Sequence, residues 1–467
     1  MKEVERTRAK GAPCKRACPA GVDIPRYNRL LSLGKFDEAL AVILEKIPFP
    51  MVCGYVCPRF CEAQCRLGDM ESPMVIRALH RFVAERATAY PESTVAKPTG
   101  KSVAIIGSGP AGLTAASYLV KLGHRVTVYE ALSQPGGMMR VGIPNYRLPK
   151  DVVNKEIEAI ERLGIEIKTN TKIESLDKLL TDGYDAVFIA IGAHKGAKMK
   201  VEGEDTPGVI DCISMLKDVN LGKEVRLGRR VVVIGGGNSA VDAARTCLRL
   251  GAKEVNIIYR RSQQEMPADA SEVEETIREG GKIQFLIEPI KIKGGNSGLK
   301  MECIRTKLGE VDASGRRRPE PISGSEFNID TDTIISAIGE TPDTPSQFGV
   351  AITDSKTLEV DPDTLATSKK GSFAGGDAMR GPASVIEAIA DGRQAAISID
   401  KYLGGKGNID EILAPPEVEI MPQIPLSLCA ERPQIPSLPV AERLRGFAGV
   451  ELGLTESAAI AEAKRCL

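Results

Sequence analysis

Tryptophan is absent from this chain of 467 residues, and aromatic residues make up only 4% of it. An excess of charge is also absent, because 62 Lys and Arg residues balance 62 Asp and Glu residues. That balance argues against nucleic acid or a membrane surface as the main partner. No apolar run approaches the roughly 18 residues that cross a bilayer, and the segment from Met1 to Arg6 lacks the apolar core of a secretory signal. We therefore expect a cytoplasmic protein.

Paired cysteines in the spacing Cys-x2-Cys are missing, although the chain has 11 cysteines. This absence removes the usual knuckle of a structural zinc site and the redox pair of a disulfide reductase. Disulfides are rare in the cytoplasm, so we expect these cysteines to be metal ligands or packing residues. Six of them cluster near the N-terminus: Cys14, Cys18, Cys53, Cys57, Cys61 and Cys65.

A first glycine-rich loop follows the apolar run 103–106 and reads Gly107, Ser108, Gly109, Pro110, Ala111, Gly112. A strand, this loop and a small-residue helix are the context in which a dinucleotide diphosphate binds. Gly107 makes the tight turn, Gly109 lets the backbone approach the diphosphate, and Gly112 lets the helix pack on the strand. Glu130 ends the next strand, where a carboxylate binds a ribose diol and repels a 2′-phosphate. The adenosine half bound here is therefore not that of NADP.

Three later segments carry further candidates for this first site. The segment 134–144 contains Gly136, Gly137 and Arg140, and its glycines suit close approach to a planar ring or a diphosphate. Gly376 and Asp377 end another strand, where the acid can bind a polyol. Ser384 opens a helix whose dipole can face a flavin. The run 331–340 shows the same ending of a strand in a glycine, Gly339.

A second glycine-rich loop follows the apolar run 231–234 and reads Gly235, Gly236, Gly237, Asn238, Ser239, Ala240. The position that corresponds to Glu130 is taken here by Arg260 and Arg261. Guanidinium groups match the oxygens of a 2′-phosphate, so this site is predicted to prefer NADPH to NADH. The alternative is that the two arginines only form a solvated face.

The N-terminal cysteines are spaced by three residues, and prolines follow Cys18 and Cys57. This pattern favours 4Fe–4S clusters, with zinc and inert thiols as the alternatives. Six cysteines do not fill two four-thiolate clusters, so His80, on a predicted helix over 75–86, and Cys466 are further candidates. The remaining cysteines are expected to be packing residues: Cys212, Cys247, Cys303 and Cys429.

Together these motifs resemble the small (beta) subunit of bacterial glutamate synthase and its relatives. These relatives include the NADPH-side subunit of NADH-dependent ferredoxin:NADP oxidoreductase and the N-terminal half of dihydropyrimidine dehydrogenase. The resemblance covers residues 11–400 and rests on the strings APCKRACPAGVDIP, CGYVCPRFCEAQC, PGGMMRVGIPNYRLP, VVVIGGGNSAVDAAR, YRRSQQEMPA and GGDAMRGPASVIEAIADGRQAA. It implies FAD, NADP(H), 4Fe–4S clusters and a partner subunit that exchanges electrons with NADPH.

The resemblance also implies ligand sets. One cluster would take Cys18, Cys57, Cys61 and a non-cysteine ligand at His80. The other would take two cysteines, Cys14 and Cys65. The Cys-x2-Cys pair that precedes Cys14 in relatives is missing here, so Cys53 or a partner chain would complete that set.

We therefore predict an α/β protein whose NADP domain is inserted into its FAD domain. The expected units are a helical iron–sulfur domain at 1–95, FAD parts at 96–227 and 336–405, an NADP domain at 228–335, and an extended proline-rich tail at 406–467. The tail is expected to wrap a surface and to end in a helix over 456–464, and 27–46 is expected to be helical.

The predicted activity is electron transfer between NADP(H), FAD and one or two 4Fe–4S clusters. Hydride transfer between nicotinamide C4 and flavin N5 needs the two rings about 3–3.5 Å apart and no side-chain acid or base. A hetero-oligomer without nucleic acid or membrane is expected. Two alternatives stay open: a subunit of a flavin-based electron-bifurcating complex, and a non-catalytic relay and docking subunit.

Overall fold

The computed structural model describes residues 11–91, 94–295, 298–312, 315–414 and 431–466. The first range is helical, with α1 Pro13–Ala17, α2 Ile24–Ser32, α3 Phe36–Leu44, α4 Pro50–Val56 and α5 Ile76–Arg86. The single helix expected over 27–46 is two helices, because Gly34 adopts a φ of 75° between them. Glycine reaches that conformation without the steric cost that other residues incur, so it ends α2 and turns the chain.

The first α/β unit follows the linker 91–100. Its elements are β1 Ser102–Ile106, α6 Pro110–Lys121, β2 Arg125–Tyr129, α7 Met138–Val141, α8 Lys150–Glu161, β3 Glu166–Lys168, α9 Leu176–Thr181 and β4 Ala186–Ile189. Every residue of β1 and β4 is buried. Strands that are apolar on both faces are typical of a parallel sheet covered by helices on both sides.

The second α/β unit carries a longer series of elements. They are β5 Lys195–Gly196, β6 Val209–Asp211, α10 Cys212–Asn220, β7 Arg230–Ile234, α11 Asn238–Arg249, β8 Glu254–Tyr259, α12 Ala270–Arg278, β9 Lys282–Phe285, β10 Ile287–Gly295, β11 Gly298–Val311, β12 Arg317–Pro321, β13 Phe327–Thr331, β14 Thr333–Ser336 and β15 Glu340–Thr341. The chain then forms β16 Ser372–Ala374, α13 Asp377–Arg380, α14 Val385–Tyr402, α15 Val440–Arg443 and α16 Glu456–Ala463.

Two parallel five-stranded sheets organise these units, in the orders β16-β4-β1-β2-β3 and β6-β14-β7-β8-β9. Because β16 pairs with β4, the chain returns to the first sheet only after it has completed the second. The second sheet also includes β6, at Val209–Asp211, so the second unit begins before the boundary expected at 228. β6 joins it because it pairs with β14, more than a hundred residues later.

An antiparallel sheet of β10, β11, β12 and β13 stands beside the second parallel sheet. The motif analysis does not anticipate it, since it contains no glycine-rich fingerprint. Its strands β10 and β11 pair over most of their length, with a register shift between Pro289 and Lys291. A separate two-stranded ladder joins β15 to β5 between the units.

The described C-terminal residues 431–466 return to the N-terminal helices. α16 packs against α2 and α5, and its bounds agree closely with the helix expected over 456–464. Arg432 pairs with Glu62 at 3.2 Å, which ties the segment to the N-terminal unit. Cys429 and four of the tail prolines, at 415, 416, 422 and 425, lie outside the described residues. Across the described ranges, no helix is long and apolar enough to span a membrane.

Candidate functional site

One large cleft of about 1170 Å³ lies between the two parallel sheets. Both glycine-rich loops line it, through Gly107 and Gly109 on one side and Gly235 and Gly237 on the other. The side chains of Arg147 and Asp242 also line it and form an ion pair of 2.7 Å between the two α/β units. The two predicted nucleotide sites therefore open into a single space.

The first loop has the geometry of a dinucleotide-binding turn. Gly107 has a φ of 105°, and a Cβ there would lie 2.3 Å from the Ala190 carbonyl oxygen. A Cβ on Gly112 would lie 2.1 Å from the Gly107 carbonyl oxygen, so helix α6 can approach the loop only because this residue is glycine. A Cβ on Gly109 would meet no protein atom within 4 Å among the described residues. The open side of the loop is therefore at Gly109, facing the cleft with Pro110 and Ala111.

Glu130 lines the cleft but is itself buried, and both of its oxygens are used by the backbone. One oxygen accepts hydrogen bonds from the Ser108 amide, at 3.0 Å, and from the Ser108 hydroxyl. The other accepts from the Leu132 amide at 2.8 Å. Glu130 thus holds the first loop in its conformation, and the oxygen that accepts from Leu132 keeps a lone pair for a ribose hydroxyl.

The segment 134–144 crosses over the first loop. A Cβ on Gly137 would lie 2.7 Å from the Gly109 Cα, which explains why glycine is needed there. Gly137 lines the cleft, whereas Gly136 and Arg140 lie behind it. The Arg140 guanidinium donates to Gln134 at 3.0 Å and to Asn154 at 2.6 Å. Arg140, predicted to bind a cofactor, is therefore positioned as a brace for this segment.

Asp377 and Ser384 lie together at the other wall of the cleft. Burial raises the pKa of Asp377 to about 7, and its carboxylate accepts from the Ala383 amide at 3.2 Å. Ser384 caps the 18-residue helix α14 in a reciprocal capping box with Glu387. Gly376 has a φ of 65°, and a Cβ there would lie 3.0 Å from the Ala111 Cβ, so the two parts of the first unit meet closely.

The second loop repeats this geometry. Gly235 has a φ of 149°, and a Cβ there would lie 2.1 Å from the Ala337 carbonyl oxygen, whereas one on Gly237 would meet open space. Asn238 accepts from the Asp269 amide at 2.9 Å, and Ser239 donates to Glu340 at 3.0 Å. Two further residues predicted to bind a cofactor have different places. Gly339 lines the cleft, whereas Ala240 is buried in the core.

The two arginines predicted to bind a 2′-phosphate have different surroundings. Arg260 is half-exposed, lines the cleft and pairs with Glu288, at 3.4 Å. Arg261 also reaches the cleft but is buried, and its guanidinium donates to the Arg317 carbonyl at 2.7 Å and to Asp312 at 2.6 Å. Arg261 therefore joins the parallel sheet to the antiparallel one, and Arg260 faces the cleft.

Four of the six N-terminal cysteines line one small hollow, at Cys18, Cys53, Cys57 and Cys61, and His80 lines it too. The other two, Cys14 and Cys65, do not line it. Burial raises the pKa of the Cys57 thiol to about 11 and raises that of Cys61 further. Apolar surroundings of this kind keep thiols protonated until a metal replaces the proton.

His80 contributes a nitrogen that the protein leaves without a partner. Its Nε2 is buried and has no hydrogen-bond partner in the described part of the chain. Burial lowers the pKa of His80 to about 4, so the imidazole is neutral near pH 7 and retains a lone pair. A buried acceptor that lies beside these four cysteines is compatible with the non-cysteine ligand that the sequence predicts for a 4Fe–4S cluster.

The donors around the hollow do not meet at one point. Within the described ranges, no three His, Cys, Asp or Glu side chains converge closely enough to hold one metal ion. The hollow that the four cysteines and His80 line measures about 30 Å³.

The cleft and the hollow are neighbours. Val56, Pro58 and Phe60 line the cleft, while the intervening Cys57 and the adjacent Cys61 line the hollow. The first turn of helix α14 also lies between the cleft and the hollow, because Val385 lines the cleft and Ile386 lines the hollow. One loop and one helix end therefore separate the candidate flavin site from the candidate cluster.

Residues 101–392 match the family model of pyridine nucleotide–disulphide oxidoreductases. The chain belongs to this family. Residues 1–91 match a second model, described as dihydropyrimidine dehydrogenase domain II, 4Fe-4S cluster. This pyridine nucleotide–disulphide oxidoreductase therefore joins an enzyme domain that uses FAD and NADP(H) to a 4Fe–4S domain.

Three comparisons place this oxidoreductase among known proteins. It is 42% identical to the NADP(+)-dependent formate dehydrogenase subunit beta of Moorella thermoacetica, over 98% of this chain and 70% of that protein. It is 37% identical to the glutamate synthase [NADPH] small chain of Escherichia coli K12, over 86% and 91%. Mycobacterium tuberculosis FprA in complex with NADPH shares its fold, with a TM-score of 0.56 and 23% identity over 66% of this chain and 85% of that one.

Some site residues of this oxidoreductase were not predicted from the sequence. Val56, Pro58 and Phe60 reach the cleft, and Arg316, in the antiparallel sheet region, adds a further arginine to its lining. The cysteine spacing could have indicated the first three, because they alternate with ligand candidates. No local signal could have indicated Arg316, because it approaches the cleft only through the folding of the antiparallel strands.

Proposed function

We propose that this chain is the NADPH-linked subunit of a larger assembly and passes electrons between NADP(H), FAD and 4Fe–4S clusters, to or from a partner subunit. The observation that carries the proposal is the single cleft lined by both glycine-rich loops and by the cysteine loop at Val56, Pro58 and Phe60. Its volume of about 1170 Å³ exceeds the roughly 300–1,000 Å³ of a site for one small ligand.

Each group has residues suited to hold it. The Gly107–Gly112 loop, Glu130 and Gly137 suit FAD, with Asp377 and the end of α14 on the opposite wall. The Gly235–Gly237 loop and Arg260 suit NADP(H). A cluster suits Cys18, Cys57, Cys61 and His80, because the His80 Nε2 is buried without another partner.

The bound groups supply hydride transfer and single-electron transfer, and the protein supplies binding, orientation and exclusion of water. Arg147 and Asp242 hold the two α/β units together across the cleft. Phe60 and Pro58 cover the side toward the cysteines. No side chain has to donate or accept a proton at the reacting atoms, which agrees with a cleft wall made mainly of glycine and apolar residues.

A partner subunit is part of the proposal because the relatives carry subunit names. The Moorella relative is named a formate dehydrogenase beta subunit and the Escherichia coli relative a glutamate synthase small chain. We infer that oxidation or reduction of the final substrate takes place on another chain.

The test is an anaerobic titration of the purified chain with NADPH, read by flavin absorbance and low-temperature EPR. We expect flavin bleaching and a fast-relaxing 4Fe–4S signal, with a weaker response to NADH. Flavin bleaching without a cluster signal, in a sample that contains iron, would favour the bifurcating alternative. Absence of flavin bleaching would contradict NADPH oxidation and favour the docking alternative.

Two glycine variants separate the sites. A Cβ on Gly109 or Gly237 meets no protein atom within 4 Å among the described residues, so Gly109→Ala and Gly237→Ala should fold. Because each methyl group would occupy the space of a diphosphate, Gly109→Ala should lose flavin, and Gly237→Ala should keep flavin but bind NADPH weakly. Gly446→Ala, whose Cβ also meets open space, is the matched control outside the cleft.

A further inference from the structure

The two ends of the described chain meet on the N-terminal helical unit. Glu462, in α16, accepts a hydrogen bond from the Val75 amide at 2.8 Å. Arg465 donates to the Ser72 carbonyl at 2.9 Å and to Glu462 at 2.7 Å. Glu462 and Arg465 are only 1% and 2% exposed. These buried charge-assisted contacts fix the position of the next residue, Cys466, relative to the segment that follows Cys65.

Cys466 lies near Cys14 and Cys65, the two N-terminal cysteines that do not line the hollow. Helix α1, which carries Cys14, contacts the short turn Glu62–Gln64, and Cys65 directly follows that turn. Cys14, Cys65 and Cys466 are all half-buried and pack against the same hydrophobic core. None of the three lines the hollow formed by Cys18 and its neighbours.

The three thiols lie in one neighbourhood. Burial raises the pKa of Cys466 to about 11, with smaller contributions from the nearby Cys14 and Cys65. Burial likewise raises the pKa of Cys14, and the nearby Cys65 adds to that increase. Cys466 therefore lies near both of the other two cysteines.

Asn28 provides an independent observation at the same place. Its side chain is fully buried in α2 and lies beside Cys466, where it favours the thiolate. Neither its amide nitrogen nor its amide oxygen has a hydrogen-bond partner of normal geometry in the described ranges. An unsatisfied buried polar group destabilises a folded protein. The sulfur atoms of an iron–sulfur cluster would accept from this amide nitrogen and remove part of that destabilisation.

We propose that Cys14, Cys65 and Cys466 are ligands of a second iron–sulfur cluster that joins the two ends of the chain. On binding, each thiol releases one proton to solvent and forms one bond from sulfur to iron. The fourth iron of a cubane is left to a ligand outside this set. This proposal rests on the proposed function, because it takes iron–sulfur ligation by the N-terminal unit as its starting point.

This second group differs from the first in its members. Tyr27 is near both groups, since Cys61 of the first and Cys14 and Cys466 of the second all raise the pKa of its buried hydroxyl. The Tyr27 ring also meets His80 edge to face, with centroids 6.0 Å apart.

The test compares Cys466→Ser with wild type and with Cys303→Ala, whose cysteine lies in β11 away from both groups. Iron, acid-labile sulfide and the EPR spectrum of the dithionite-reduced full chain are measured after anaerobic purification. We expect about eight irons per chain in wild type and Cys303→Ala and about four in Cys466→Ser, with the loss of one EPR signal. Cys14→Ser combined with Cys466→Ser should lose no more iron than either single variant.

Several outcomes would overturn the proposal. One is Cys466→Ser with the iron content and EPR spectrum of wild type, while Cys14→Ser loses a cluster. Another such outcome is a wild-type protein that contains only about four irons per chain. Flavin reduction by NADPH, measured on the same samples, tests the proposed function separately, because the first cluster and the flavin site do not include Cys466.

If Cys466→Ser does not fold, the proposal is tested by alkylation of the wild-type chain instead. Iodoacetamide labelling is followed by mass spectrometry before and after iron is removed with a chelator. We expect Cys14, Cys65 and Cys466 to become labelled together on chelation. Labelling of Cys466 in the iron-loaded protein, before Cys14 and Cys65 react, would contradict ligation.

Discussion

Arg260 and Arg261 are neighbours in the sequence, but their guanidinium groups have different surroundings. Arg261 donates to a backbone carbonyl and to Asp312, and is buried. Arg260 is half-exposed, and its guanidinium pairs with Glu288 at 3.4 Å. A bound phosphate would replace the water around Arg260, whereas at Arg261 it would compete with protein partners. Recognition of the 2′-phosphate is therefore expected to depend mainly on Arg260.

Arg260→Ala is expected to raise the KM for NADPH and to leave the KM for NADH nearly unchanged. A charge-assisted hydrogen bond contributes about 1.5–3 kcal/mol, which corresponds to a change of roughly 10- to 100-fold. Steady-state kinetics with both nucleotides measure it, with Arg226→Ala, an exposed arginine outside the cleft, as the control. Equal losses for NADPH and NADH would contradict the phosphate assignment.

Lys150 is a second residue whose environment changes its chemistry. Burial, with a smaller contribution from Arg140, lowers its pKa to about 7, although Asp242 opposes the shift. Its ammonium donates to the Ile143 carbonyl at 2.6 Å, so it holds the segment over the first loop. In the unfolded chain a lysine has a pKa of about 10.4. Between these two values, the unfolded chain binds a proton that the folded chain has released.

This difference predicts a pH dependence. The contribution of Lys150 to folding stability should rise with pH from about 7 to about 10 and be constant below that window. Lys150→Met removes this dependence. The Tm of the variant minus the Tm of wild type should therefore be largest near pH 7 and should decrease toward pH 10. Differential scanning calorimetry measures it, with Lys155→Met, exposed on the same helix, as the control. A Tm difference that does not change with pH would contradict the shifted pKa.

At the scale of elements, helix α4 connects the cysteines to the flavin unit. Its N-cap residue Phe49 has no capping side chain. Glu156, from α8, instead accepts from the Val52 amide at 3.0 Å and from the Met51 amide. Glu156 is 3% exposed, and burial raises its pKa to about 8. A helix of the flavin unit therefore caps the helix that carries Cys53 and leads to Cys57.

Glu156→Ala is expected to destabilise the protein by about 1–2 kcal/mol, the usual cost of losing a helix cap. Glu156→Gln should lose less, because an amide oxygen still accepts one of the two bonds. Urea denaturation measures both, and Glu158→Ala, exposed on the same helix, is the control. Stability equal to wild type in Glu156→Ala would mean that α4 is held by other contacts.

The elements also show how far the sequence could be interpreted. Both glycine-rich loops have the conformations that their spacing predicts, because six consecutive residues contain the turn, the open position and the helix contact. The expected helix over 27–46 is interrupted at Gly34, where a positive φ ends α2. The antiparallel strands β10 to β13 lack a motif, and their pairing depends on contacts that periodicity does not encode.

At the scale of the whole molecule, the C-terminal segment connects the N-terminal helices to the second α/β unit. Arg443 is 4% exposed and donates to Glu275, in α12, and to Ser437 at 2.8 Å. Glu62, in the N-terminal unit, pairs with Arg432 of the same segment. The segment therefore holds together units that are separated by more than 150 residues of chain.

Arg443→Ala should release this segment from α12 and leave Glu275 and Glu279 without that positive charge. We expect a loss of about 1–3 kcal/mol of folding stability and faster proteolysis within 431–466. Limited proteolysis followed by mass spectrometry measures it, with the exposed Arg445→Ala as the control. Unchanged proteolysis would show that α16 alone anchors the segment.

The sequence by itself determined the local chemistry of this protein: two dinucleotide loops, an acid after one and arginines after the other, and cysteines spaced for a cluster. Each of these signals lies within a few consecutive residues, where covalent geometry and helix formation decide the outcome. Only the tertiary structure decided that Arg261 is buried against Asp312 while Arg260 stays half-exposed, that Arg140 braces a segment behind the cleft, and that Cys466 lies near Cys14 and Cys65. These outcomes depend on packing between residues that are distant in the chain, and short-range patterns carry no information about such contacts.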